Sequence, residues 1–105
     1  MPKDAYLVQI LLPLRDNDGE PFGRQDFEKV SAELTEEFGG ATAFVQAPAE
    51  GLWDGEGGTK RDEVIIIETM ADAIDEDWWS DYRETLEQRF RQDSVVIRSQ
   101  AINTF

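Results

Sequence analysis

Residues 6–14 read Tyr-Leu-Val-Gln-Ile-Leu-Leu-Pro-Leu, and every second one, Tyr6, Val8, Ile10, Leu12 and Leu14, is apolar and shares one face of an extended chain. The intervening face carries Leu7, Gln9, Leu11 and Pro13 and is itself largely apolar. A strand apolar on both sides belongs in the middle of a sheet. Val64-Ile65-Ile66-Ile67, inside a strand predicted over 61–70, has the same character and is rich in β-branched side chains. These two segments predict the central pair, with weaker strands over 41–47 and 95–102.

Between the strands, the apolar period changes from two to between three and four. Phe27, Val30, Leu34 and Phe38 place one stripe on a helix over 24–38, and Gly39-Gly40 supplies its left-handed stop. Trp79, Tyr82, Leu86 and Phe90 form the stripe of a second helix, whose first turn is marked by the carboxylates Asp75-Glu76-Asp77. Asp16-Asn17-Asp18-Gly19 reads as a turn held by Asx side-chain bonds. The order is strand, helix, strand, strand, helix, strand, with each helix making a crossover between parallel strands. Two interleaved right-handed βαβ units satisfy it, with both helices on one face. The expected fold is therefore α+β, a ferredoxin-like βαββαβ sandwich of one four-stranded antiparallel sheet, spanning residues 1–105 as a single domain.

Composition narrows the chemistry. With 105 residues the chain can bury a core without a covalent staple. It has no cysteine, so thiolate, iron–sulfur and disulfide chemistry are absent, and no histidine, which excludes the usual triads and zinc sites. Neither a metal nor a cofactor is expected. Ten Lys and Arg stand against 23 Asp and Glu, a formal charge of -13. Such a field repels phosphate backbones and anionic lipid, so nucleic acid and membrane are not expected partners, whereas a basic protein is admissible. The first residues, Met1-Pro2-Lys3-Asp4-Ala5, run into the strand pattern without an uncharged apolar leader, and a cytoplasmic location is the expectation.

With the helices over Val8, Ile10, Leu12, Ile65, Ile67, Val95 and Ile97, the other sheet face holds Leu7, Leu11, Val64, Ile66, Val96 and Ile102. Its polar minority is Gln9, Glu68, Arg98 and Gln100. A face so apolar is expected to be covered, and a second copy of the chain making a homodimer is the expected cover, through those six apolar residues. A charge in that setting needs a partner. The simplest is a Glu68–Arg98 ion pair; the functional alternative is a pocket for a small polar ligand, in which a desolvated Glu68 would be the candidate general base. Trp53, in the glycine-rich loop from Pro48 to Asp62, is expected to fold back over the sheet as packing or as a lid.

Other constellations do not hold. Asp16, Asp18 and Glu20 suggest a calcium loop, but its first and twelfth positions fall on Leu14 and Gln25. The glycines from Gly51 to Gly58 do not link a strand to a helix as a nucleotide-binding loop does. In order and spacing, Asp18-Gly19, Phe38-Gly39-Gly40 before Ala41-Thr42, Gly51-Leu52-Trp53 and Phe90-Arg91-Gln92-Asp93-Ser94-Val95 resemble a family of small bacterial domains with no assigned activity. That resemblance implies the same fold and transfers no site. Two functional expectations follow: a non-catalytic dimeric binding or interaction domain with a ligand site on the open face near Gln9, Trp53, Glu68, Arg98 and Gln100, or a cofactor-independent enzyme resembling the dimeric α/β-barrel oxygenases and isomerases.

Overall fold

The computed structural model describes residues 2–46 and 64–105. The glycine-rich loop with Trp53 lies outside the described residues. Within them the chain forms β1 (Lys3–Pro13), α1 (Arg24–Phe38), β2 (Thr42–Gln46), β3 (Val64–Ala71), α2 (Glu76–Arg89) and β4 (Val96–Thr104). The sheet order is β2-β3-β1-β4 and every pairing is antiparallel, so the two strands apolar on both faces are the central ones. This is the ferredoxin-like sandwich. No described helix is long and apolar enough to cross a membrane.

One core lies between the helices and one sheet face. Val8, Ile10 and Leu12 of β1, Ile67 of β3 and Val95 pack against Phe27, Val30 and Leu34 of α1, and against Trp79, Tyr82, Leu86 and Phe90 of α2. All the residues of both helical stripes are buried except Phe38, which is half-buried at the end of α1. Its ring stacks on Trp79 at 5.2 Å and meets Trp78 edge-on at 5.2 Å. Trp78 is thus held in an aromatic cluster and is not a free contact surface.

Helix ends form as their residues dictate. Gly39 takes φ +94°, a left-handed conformation that suits glycine, and its N–H donates to Thr35 O at 2.8 Å. Asp75 caps α2 by accepting from Trp78 N at 3.1 Å. In the β1–α1 turn, Asp16 Oδ1 accepts from the N–H groups of Asp18 and Glu20, each at 2.9 Å, and Oδ2 accepts from Arg91 at 3.3 Å. Both oxygens of Asp16 are therefore committed to closing the turn and tying it to the end of α2.

All four strands differ from the sequence reading by one or more residues: β1 stops at Pro13 instead of Leu14, β2 starts at Thr42 instead of 41, β3 continues to Ala71 instead of Met70, and the larger changes fall at the outer ends of β1 and β4. β1 begins at Lys3 instead of Tyr6, and β4 runs over Val96–Thr104 instead of 95–102. The added residues pair with one another, Lys3 with Thr104 and Asp4 with Asn103. Cross-strand hydrogen bonding extends the sheet through polar residues that carry no alternating pattern.

The helices are also clamped to each other on the surface. Arg89 donates two parallel bonds to the Glu33 carboxylate, at 2.9 and 3.0 Å, and the Tyr82 hydroxyl donates to the same group at 2.7 Å. The Arg89 hydrogen bonds hold the Glu33 carboxyl below the usual glutamate range. Burial, and then the bond to Glu33, push the Tyr82 hydroxyl far above the usual tyrosine range. Glu33→Ala should cost about 1–2 kcal/mol, because solvent still reaches part of the pair while Tyr82 loses its buried partner. A carboxyl with a depressed native pKa stabilises fully above its unfolded pKa, and the contribution is lost as pH falls through the native value. The difference in melting temperature between the parent chain and Glu33→Gln should therefore be largest near neutrality and shrink below about pH 4.

Candidate functional site on the open sheet face

Because cross-strand partners point to the same side, the pairing register sorts the open face into rungs. One is apolar throughout: Phe44, Ile66, Leu11 and Val96, on β2, β3, β1 and β4. The next is polar throughout: Thr42, Glu68, Gln9 and Arg98. The third carries Met70, Leu7 and Gln100 alone, since β2 begins only at Thr42. All the described residues expected at a ligand site, Gln9, Glu68, Arg98 and Gln100, thus fall on two adjacent rungs. Thr42, which completes the polar rung, went unseen in the sequence because only the β2–β3 register places it there.

The expected direct pairing of Glu68 with Arg98 does not form among the described contacts. Arg98 Nε donates to Gln9 Oε1 at 2.9 Å, and Gln9 Nε2 donates to Glu68 Oε2 at 2.8 Å. The cause is topological: β1 separates β3 from β4, so the two charged residues stand on strands roughly 9–10 Å apart. Gln9, on the strand between them, fills the gap and bridges both.

The apolar residues expected at a dimer interface differ in what they expose. Leu7, Leu11, Val64 and Ile102 are half-buried, and Val96 is 53% exposed. Ile66, at 2% exposure, is already buried within one chain and offers a partner almost no area, although it lies on the expected face. Two residues not singled out beforehand add to the exposed surface, Phe44 at 40% and Met70 at 54%. Alternation within the short β2 segment could have identified Phe44 once its pairing was known.

Charge is distributed unevenly over the molecule. Among the described strand residues of the open face the charged groups are Glu68, Arg98 and Lys3, and Lys3 pairs at 3.6 Å with Asp72, just beyond the end of β3. Acids and bases balance there, although the chain carries -13 overall.

A depression of about 520 Å³ opens beside Glu68, lined by Leu7, Phe38, Gly39, Gly40, Ala41, Thr42, Thr69 and Met70. It exists because β2 begins its pairing at Thr42 opposite Glu68, while β3 continues to Ala71. The Thr69 hydroxyl is committed to the carbonyl of Gly40 and fixes the floor of this corner. Among the described residues, Glu68 and Thr42 are the other side-chain polar groups that line it.

No family model matches the chain, and no curated protein matches it. Among solved structures it is similar to a phage SAM lyase in complex with S-methyl-5'-thioadenosine. The two are 13% identical, the match covers 95% of this chain and 88% of that chain, and the TM-score is 0.58. At this identity the likeness concerns the fold.

Proposed function

We propose that this chain is a dimeric binding domain in which a second copy covers the open sheet face and a small polar ligand is held on the Glu68–Gln9–Arg98 rung. The observation that carries the reading is the combination, among the described residues, of exposed Phe44, Met70 and Val96 with a balance of charge on that one face. Two chains of charge -13 repel each other on most approaches. Bringing the balanced faces together buries apolar area without setting acid against acid, and a two-fold axis satisfies the requirement that the patch complement itself. Sedimentation at micromolar concentration should give a dimer; a monomer at all concentrations up to about 100 µM, which corresponds to an affinity of about −5.5 kcal/mol, would overturn the reading.

A second reading is catalytic and uses the same depression, with Glu68 as the proton acceptor at its rim. The observation in its favour is the fold likeness to a lyase that holds a thionucleoside. Incubation with S-adenosylmethionine, followed by chromatography, separates the two: consumption abolished by Glu68→Gln supports the enzyme, and unchanged S-adenosylmethionine supports the binding domain.

A further inference from the structure

Building on the reading of the open face as a ligand surface, we propose that the ligand is an α-amino acid with an apolar side chain, bound as its zwitterion across Glu68 and Arg98. The rung has a direction. The Gln9 carboxamide must turn its oxygen to Arg98 and its nitrogen to Glu68, as observed, because the reverse would set donor against donor and acceptor against acceptor. The rung therefore presents an accepting end at Glu68 and a donating end at Arg98, held apart by the width of β1 and not neutralising each other directly.

Among the described residues, each end keeps capacity beyond Gln9. Arg98 uses only Nε in this contact, which leaves its terminal nitrogens, and Glu68 uses only Oε2, which leaves Oε1. A molecule lying over Gln9 and repeating its pattern, an acceptor toward Arg98 and a donor toward Glu68, would satisfy both. An α-amino acid is a minimal molecule of that kind: its carboxylate matches the guanidinium and its ammonium matches the carboxylate, both as charge-assisted bonds. Thr42, on the far side of Glu68 in the same rung, adds a hydroxyl acceptor for the ammonium. A ligand with one charge would leave the opposite group uncompensated among Leu7, Leu11, Ile66 and Val96, which is costly once water is excluded.

The side chain has a place as well. The depression begins at Glu68, and Leu7, Phe38, Ala41 and Met70 supply apolar walls beside Thr42, Thr69 and the Gly39–Gly40 backbone. An unbranched or γ-branched aliphatic side chain fits such a wall, and a charged one would not.

Calorimetric titration with L-methionine and L-leucine, beside methionine methyl ester and N-acetylmethionine, tests this on the full chain. The free amino acids should bind at least tenfold more tightly than the ester, which lacks the anion, and than the acetylated form, which lacks the cation. Glu68→Gln and Arg98→Gln should each weaken methionine at least tenfold, while their circular dichroism and sedimentation match the parent. Equal affinity for the free and blocked forms, or no binding of either free amino acid at millimolar concentration, would overturn the proposal. A chain that is dimeric in either of those cases loses the zwitterion assignment alone, whereas a monomeric chain loses the underlying reading too.

Discussion

Phe90→Ala is expected to cost about 3–5 kcal/mol of folding stability, the largest effect of any single truncation considered. Phe90 follows the last residue of α2 and is fully buried. Its ring lies 5.0 Å from Phe22 and 5.7 Å from Phe27, so it joins the segment before α1, α1 itself and the end of α2 in one aromatic cluster. The backbone adds to this: the Phe90 N–H donates to Leu86 O at 2.9 Å, and Arg91, the next residue, takes φ 54° and reaches Asp16. Removing the ring deletes the contact between three segments and leaves a cavity that the clamped helix end cannot collapse to fill. A domain of this size has about 5–15 kcal/mol in total, so the variant should sit near the edge of folding. Urea unfolding measures it; a loss under about 1 kcal/mol would contradict this account of the core.

The second large effect concerns association. Phe44→Glu and Val96→Glu should each weaken self-association by at least 100-fold, roughly 2.7 kcal/mol, while changing monomer stability by no more than about 0.5–1 kcal/mol. The two residues stand on β2 and β4, the outer strands, at opposite ends of the same apolar rung. Each is substantially exposed in the single chain, so a carboxylate there costs the monomer little. In a two-fold dimer each substitution enters twice, and an unpaired charge buried against apolar side chains is penalised heavily. The contrast with Phe90→Ala is the informative part: one variant should unfold easily and remain dimeric while folded, the others should fold normally and separate.

Much of the architecture was legible because alternation and helical stripes are properties of the chain itself. Val8, Ile10 and Leu12 declare the buried face of β1, and Phe27, Val30 and Leu34 that of α1, whatever their partners turn out to be. Which residues meet across strands is a different matter. Gln9 could be placed on the open face by the two-residue period, yet its position between Glu68 and Arg98 depends on two registers at once. A direct Glu68–Arg98 ion pair, the simplest partner that the pattern offered, is therefore prevented by the intervening strand. The Glu33–Tyr82–Arg89 clamp was illegible for a similar reason: Tyr82 reads as a core aromatic, and its hydroxyl finds Glu33 only because α1 and α2 lie side by side. Thr42 and Phe44 belong to a five-residue strand whose pattern is too short to assign a face without its partner.

Closure of the open face by a second copy underlies both the proposed ligand site and the association predicted above. Light scattering behind size exclusion, run on the parent chain and on Phe44→Glu at equal concentrations, tests that most directly. The predicted result is a mass twice the 12.0 kDa of one chain for the parent and 12.0 kDa for the variant. A parent mass of 12.0 kDa, or a variant that remains as dimeric as the parent, would contradict it.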